Sequence, residues 1–217
     1  MTTPISPRLI RGGIVVMDAG SGRLQRVIAM QYNPDTLTRS LQPQALADPQ
    51  DRSQALRLKG PPVETIRLEA EMDAADQLAD PGQNPAAVQF GLAPQLAALE
   101  TLLYPASGVL IANNELQSAG TLEITPMESP LTLFVWSSQR VVPVRITELS
   151  VTEEAFDPQL NPIRAKVTLA MRVLTVDDLG FEHRGGALYV VYQQAKERLA
   201  QASPSASLPA LGLTGIP

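Results

Sequence analysis

The chain lacks cysteine and carries a single histidine, His183, among its 217 residues. Without thiols it forms no disulfide, thiolate metal site or cysteine nucleophile. One imidazole is too few for a zinc site built on several histidines, and a serine-histidine-aspartate triad would have to use His183. We therefore expect no catalytic residues, no metal site and no cofactor.

The chain also lacks an excess of positive charge and any long apolar run. It has 17 Lys and Arg against 22 Asp and Glu, and the basic residues are dispersed, so we expect no nucleic-acid partner. No run approaches the roughly 20 apolar residues of a membrane helix, and residues 1–11 lack the apolar segment of a signal peptide. These absences predict a protein made and used without export or direct membrane insertion.

Aromatic residues are scarce, at 4% of the chain, whereas proline occurs 19 times. Ligand pockets favour aromatic side chains, and each proline interrupts regular structure. The length suits one large domain or two small ones with a real core. This balance favours structural work over catalysis.

What the chain does have is strand-like alternation. Residues 10–17 and 24–32 flank a Gly-rich turn and predict a hairpin, after which Asn33-Pro34 turns the chain into a strand over residues 36–40. Residues 63–74 alternate cleanly, as a half-buried antiparallel strand does. The last strand is expected over residues 164–174.

Residues 131–158 predict a second hairpin that turns near residues 137–139. Its second arm changes phase, and a β-bulge near Thr147 or Glu148 would explain the change. Pro143 indicates an edge or bulged position. Trp136 is expected in the core, while Glu153, Glu154 and Asp157 are interpreted as a solvated strand end rather than paired catalytic carboxylates.

Fewer segments predict helices or loops. Residues 42–59 are expected to form an extended loop and residues 80–85 a mobile connector, whereas residues 94–104 have the leucine spacing of a helix. A turn-rich bridge with an exposed His183 should lead into an amphipathic helix over residues 187–200, with its apolar side formed by Leu188, Val191, Tyr192, Ala195 and Leu199.

This C-terminal helix has two open interpretations. It packs on its own β domain, or it docks on a neighbouring component by using Gly185-Gly186 as a hinge. The fold prediction is mainly β (α+β), an antiparallel barrel or sandwich with one packed helix and this C-terminal amphipathic helix. The β domain covers residues 1–176, the linker and helix residues 177–202, and a flexible tail residues 203–217.

Four segments, in order, resemble the tube-adaptor proteins of contractile injection systems. They are residues 30–40 (MQYNPDTLTRS), 60–78 (GPPVETIRLEAEMDAADQL), 94–105 (PQLAALETLLYP) and 144–174. The resemblance spans residues 11–174. It implies a tail-tube-like fold and a sixfold ring between the trimeric spike and the inner tube, which starts tube assembly. Several family members carry an additional C-terminal LysM-like module, whereas here we expect only the helix over residues 187–200 and a short tail. Any anchoring role of that module is therefore in doubt or is taken over by the helix.

The resemblance also implies partners and contact residues. The partners are further copies of the chain in a hexamer, the spike protein, the inner-tube protein and other baseplate proteins. The particle would be assembled in the bacterial cytoplasm and then released or membrane anchored. Inter-subunit contacts are expected from Gln31, Tyr32, Asn33, Pro34, Thr36, Thr38 and Arg39. Spike or tube contacts are expected from Asp48, Asp51, Arg52, Arg57, Lys59, Asp157, Asn161 and Arg164.

Three other functions remain open at this point. An ordinary inner-tube subunit of the same machine would need two similar stacking faces, whereas an adaptor needs unlike ones. A small β-rich hydrolase would use acidic residues such as Asp157. A ligand-binding β-barrel would need a cavity.

Overall fold

A computed structural model describes residues 10–45, 57–118, 120 and 129–216. Its described residues form one antiparallel sheet of seven strands in the order β2-β1-β5-β6-β7-β4-β3. The strands are β1 (Gly13–Met17), β2 (Leu24–Ala29), β3 (Leu37–Ala45), β4 (Leu58–Asp73), β5 (Leu131–Ser137), β6 (Arg140–Phe156) and β7 (Pro162–Val173). The helices are α1 (Ala75–Ala79), α2 (Pro85–Phe90), α3 (Ala93–Glu100), α4 (Ser107–Ser118), α5 (Val176–Leu179) and α6 (Arg184–Gln201).

The prediction of a mainly β fold with packed helices is confirmed. Alternation places one face of each central strand in a common core, as in β7, where Val167, Leu169 and Met171 are buried. The sheet curls, so Ile14 of β1 and Leu68 of β4 belong to the same apolar cluster. Among the described strands no ladder joins β2 to β3, so the curled sheet is open between these two strands.

The predicted β-bulge is also confirmed, because the pairing of β6 with β7 changes register between Ile146 and Glu148. The prediction for Pro143 was wrong in part, since β6 lies between β5 and β7. The Pro143 carbonyl accepts a hydrogen bond from the Leu174 N–H, 2.9 Å away, just beyond the end of β7. The backbone nitrogen of Pro143 therefore lies on the β7 side, just beyond the end of the β6–β7 ladder. Because no ladder bond is made there, the missing N–H of proline costs none.

The prediction of a loop over residues 42–59 was wrong at both ends of that range, where the structure has strands. β3 continues to Ala45 and β4 begins at Leu58. Pro43 is tolerated in β3 because β3 is an edge strand. Pro61 and Pro62 are tolerated in β4 because this part of β4 pairs only with β3, before the ladder of β4 with β7 begins at Thr65. Residues 46–56 lie outside the described part of the chain.

Helices cover both ends of the curled sheet. The Leu92 N–H, between α2 and α3, donates to the Pro162 carbonyl at the start of β7. α5 and α6 follow the other end of β7. The connector expected over residues 80–85 is flanked by the short helices α1 and α2, and α4 was not predicted. None of the described helices is long and apolar enough to cross a membrane.

The C-terminal helix packs on its own sheet, with Tyr189, Tyr192 and Ala195 buried. The expected apolar side was partly wrong, because Val191 and Leu199 are exposed. The helix begins at Arg184, three residues earlier than predicted, and its Tyr189 and Tyr192 join the core that the sheet forms.

The proposed hinge at Gly185-Gly186 is corrected by the structure. Both glycines are buried in the first turn of α6. A Cβ on Gly185 would press on Leu179 and His183, and one on Gly186 would overlap the carbonyl oxygen of Gly180. These glycines therefore allow close packing between α5 and α6.

We expect Gly186→Ala to lower the free energy of unfolding by about 2 kcal/mol or more, because the backbone of Gly180 must move. Gly108→Ala is the matched control in α4, since a Cβ there meets nothing within 4 Å, and alanine favours a helix by up to about 1 kcal/mol. Denaturant unfolding followed by circular dichroism measures both. Equal stabilities for the two variants would contradict the close packing between α5 and α6 at Gly186.

Candidate functional site

Two strand edges bound a four-stranded unit made of β3, β4, β7 and β6. Among the described strands, β3 pairs with β4 alone. β5 pairs with β6 from Arg140 to Val144, whereas the ladder of β6 with β7 runs on to Phe156. Beyond Val144, β6 therefore has one strand neighbour among the described residues. Unpaired strand edges recruit other strands.

The direction of the free backbone groups follows from the ladders. The Ala74 N–H donates to the Ile163 carbonyl, so odd-numbered residues of β7 point their backbone groups to β4 and even-numbered ones to β6. Thr168 of β7 is paired with Ser150 of β6. The backbone groups of Ser150 therefore point to β7.

The residues next to Ser150 in β6 direct their backbone groups away from β7. The backbone N–H and C=O groups of Leu149, Val151 and Glu153 face away from β7, towards the free edge. β6 therefore offers a regular row of backbone donors and acceptors without a described partner strand. The side chain of Glu153 is also exposed.

Two predicted contact residues, Gln31 and Asn33, make hydrogen bonds within the chain. The Gln31 side-chain amide donates to the Asp73 carbonyl at 2.6 Å and accepts from the Asp73 N–H at 2.9 Å. Asn33 accepts from the Gly12 N–H and donates to the Ile10 carbonyl, both at 2.8 Å. Each amide does what a backbone amide of a neighbouring strand would do, and Gln31 thereby joins the end of β2 to the end of β4.

Arg39 belongs to an interior ion cluster, which we define as Arg39, Glu64, Tyr192 and Lys196. Glu64 is 2% exposed, and Arg39 Nη2 lies 2.7 Å from its Oε1. The Tyr192 hydroxyl donates to the same oxygen at 3.0 Å, and Lys196 Nζ lies 3.2 Å from Oε2. The cluster joins β3, β4 and α6.

The charges of this cluster depend on one another. Burial favours the neutral acid and raises the pKa of Glu64, but the hydrogen bond from Arg39 and the charge of Lys196 outweigh burial and leave the pKa below its ordinary value. Burial, followed by the Glu64 charge, raises the pKa of Tyr192 to about 12. Tyr192 therefore stays a hydrogen-bond donor, and Glu64 stays ionised, at neutral pH.

The rim turn, expected over residues 157–164, is shorter in the structure, where residues 157–161 join β6 to β7. We keep the name rim turn for these five residues, which are held by the turn's own side chains. The Asp157 carboxylate accepts from the Gln159 N–H and from the Asn161 N–H and side-chain amide, each at 2.8 Å. The Asn161 side chain keeps the pKa of Asp157 below its ordinary value. Asn161 also donates to the Gln89 carbonyl of α2, and Arg164 pairs with Asp73 at 2.9 Å. The turn is thereby fixed to α2 and β4.

The remaining predicted contact residues lie at the surface or outside the described residues. Pro34 is half-buried. Tyr32, Thr36, Thr38, Arg57 and Lys59 are exposed. Asp48, Asp51 and Arg52 lie outside the described residues. For every one of the predicted contact residues, the role between subunits or towards the spike and tube stays a prediction. Gln31, Asn33 and Arg39 also have structural roles within the chain.

Sequence reasoning missed Glu64, although a signal was present. The apolar alternation of β4 over Ile66 and Leu68, extended two residues backwards, places Glu64 on the buried face. His183 was expected to be exposed, but it is half-buried and caps α6, because its Nδ1 accepts from the Gly185 N–H at 3.0 Å. Trp136 is half-buried and stacks on the buried Phe134.

The carboxylates of the β6 end are arranged for solvation and pairing. Glu153 and Glu154 are exposed, and Glu154 lies 3.0 Å from Lys166. Within the described part of the chain, no group of three or more His, Asp or Glu side chains is placed to hold a metal ion. Comparison with protein-family models and with curated protein sequences finds no match to this chain.

We expect Glu64→Gln to lower the free energy of unfolding at pH 7 by about 2 kcal/mol. Breaking a buried ion pair costs about 3–5 kcal/mol, and the partial exposure of Arg39 and Lys196, at 26% and 30%, reduces that cost. The matched control is Glu148→Gln, whose partner Arg67 is exposed, with an expected change within about 0.5 kcal/mol.

The loss should depend on pH in one direction. Because the pKa of Glu64 is lower in the folded state than its unfolded value of 4.5, its stabilisation is fully present above that value and disappears as the pH falls through the folded-state pKa. Urea unfolding from pH 7 to pH 3 should show the difference between wild type and Glu64→Gln shrinking towards low pH. A difference that grows on acidification would contradict the ionised cluster.

Proposed function

We propose that the protein is a structural ring subunit of a contractile injection system baseplate, which adapts the spike to the inner tube and initiates tube assembly. The resemblance over residues 11–174 supports the choice of machine. The observation that carries the proposal is the four-stranded unit, which among the described strands has an unpaired edge on each side, at β3 and at the β6 residues beyond Val144.

The directions of the two edges suit a ring. β6 runs antiparallel to β7, β7 to β4, and β4 to β3, so β6 and β3 run in opposite directions. β3 of one copy can therefore join β6 of the next copy as an antiparallel neighbour. This contact is heterologous, and repeating it by rotation closes a ring in which these edges are paired.

The two faces of the four-stranded unit suit a shared wall. One face packs on the core, and the other carries polar and charged side chains that alternate with the buried ones. The exposed residues on this polar face include Arg67, Glu69 and Glu71 of β4 and Glu148, Ser150 and Thr152 of β6. Such a face suits the lining of a water-filled channel.

The ends of the strands are unlike, which supports an adaptor over an inner-tube subunit. One end carries α2 and the rim turn, with Phe90, Phe156 and Leu160 exposed near the ion pair of Arg164 with Asp73. The opposite end carries α5 and α6, with Phe181 exposed and Arg172 paired with Asp178 at 2.8 Å. Ends built from different elements can bind two different partners, the spike and the tube.

Electron microscopy of the purified chain, alone and with a spike protein, tests the function. The adaptor should form single rings, bind the spike on one face only, and start tubes when inner-tube protein is added. Polymerisation of the chain alone into long tubes would identify it as an inner-tube subunit instead. A monomer under all these conditions would contradict both.

A proline at the free edge of β6 tests how the ring closes. Glu153→Pro removes an N–H that points away from β7, so the monomer should fold with its ladder intact while edge pairing is weakened. Glu153→Ala keeps the N–H and removes the same charge. Native mass spectrometry should show rings for Glu153→Ala and mainly monomers for Glu153→Pro, with similar circular dichroism. Rings of equal abundance would count against pairing through β6.

A further inference from the structure

Leu160 in the rim turn is an exposed apolar side chain on a constrained backbone. Its φ is 65°, the one positive value among the described residues other than glycine, and 78% of the residue is exposed. Leucine adopts this conformation at a cost in free energy. The Leu160 N–H donates to the Asp157 carbonyl, and the Asp157 N–H donates to the Asn161 carbonyl, so the turn holds the leucine outward in a fixed position.

An apolar cavity lies in the wall between β2 and β4. Its lining includes Ile28 and Met30 on one side and Leu68, Ala70 and Met72 on the other. The cavity has a volume of about 40 Å³, which is far below the volume of a pocket for a drug-sized ligand. The cavity is therefore suited to one aliphatic side chain rather than to a separate molecule.

Leu160 and the cavity lie at the same end of the strands. Asp73, whose backbone groups bond the Gln31 side chain beside the cavity, pairs with Arg164 at the start of β7. Leu160 precedes Arg164 by four residues in the rim turn. Met72 of the cavity pairs with Ala165, near the start of β7. A rotation about an axis along the strands, as a closed ring requires, therefore brings Leu160 of one copy towards the same end of the next copy, where the cavity lies.

We propose that Leu160 of each copy inserts into the cavity between β2 and β4 of the neighbouring copy. The inference rests on the proposed ring and specifies one contact in it. When β6 of one copy lies antiparallel to β3 of the next, the rim turn that follows β6 points to the beginning of β3. That beginning is Leu37, which pairs with the cavity residue Leu68.

The chemistry of the two surfaces agrees. Leu160 brings no charge, and the one carboxylate in its turn, Asp157, is occupied by hydrogen bonds from the turn itself. The cavity is lined mainly by aliphatic and methionine side chains, together with Gln31 and the exposed residues Ala29 and Glu71. A leucine held rigidly before binding loses little conformational freedom when it enters such a cavity.

The natural absence of cysteine permits a direct test. Leu160→Cys and Ala29→Cys are made as separate single variants, mixed and oxidised mildly. The mixture should give a disulfide-linked heterodimer between positions 160 and 29, identified by mass spectrometry of the digested protein. Because the two cysteines are on different chains, such a product reports a contact between copies. Gln25→Cys on the same strand, outside the cavity lining, is the matched control and should react at least tenfold less.

A second pair of variants tests the energetic role. Leu160→Asp should reduce the population of rings at least tenfold by native mass spectrometry, because a carboxylate cannot enter the apolar cavity without loss of hydration. Gln159→Asp places the same charge one residue away and should leave the rings intact. Rings that persist in Leu160→Asp, or equal cross-linking at positions 29 and 25, would overturn this contact while leaving the ring itself standing. Absence of rings in the wild-type protein would instead overturn the proposed function.

Discussion

The carboxylate of Glu64 is the group on which the packing of the C-terminal helix depends. It is buried beneath the helix, and a buried carboxylate without partners would be neutralised or would destabilise the fold. Arg39 from β3 and Tyr192 and Lys196 from α6 supply the donors. The cluster therefore joins the edge strand β3 to β4 and α6, and it holds the side of the helix that carries Tyr192 and Lys196 against the sheet, while Val191 is exposed.

The same fold leaves other polar groups without partners, and these point outward. The edge of β3 and the far half of β6 carry backbone donors and acceptors that no described strand satisfies, whereas Gln31 and Asn33 use their side-chain amides to complete the edges near Asp73 and Gly12. Side chains can satisfy one or two backbone groups at a strand end, but a long regular edge needs another strand. This difference separates the edges that are closed within one copy from those that are available to a second.

Local pattern was sufficient to predict much of the fold. The alternation of β4 and β7 predicted their buried faces, and the change of phase in β6 predicted the bulge after Ile146, because side-chain direction within one strand depends only on neighbours in sequence. The place of Pro143 in an interior strand was not predictable in this way. It depends on where β7 ends, which is decided by pairing between distant segments. The prediction of the buried face of α6 was partly wrong for a similar reason, since apolar spacing alone does not reveal a buried carboxylate opposite the helix.

By itself the sequence determined the absence of thiol chemistry, the strand-rich composition and the buried face of each central strand, since these properties are set by residue type and by local periodicity. Only the tertiary structure decided that Glu64 is paired with Arg39, 25 residues away, and with Lys196, 132 residues away. It also decided which strand edges have no partner among the described strands and that the rim turn with Leu160 and the apolar cavity share one end of the sheet. Electrostatic pairing and strand order depend on distances in space, which alternation along the chain does not encode.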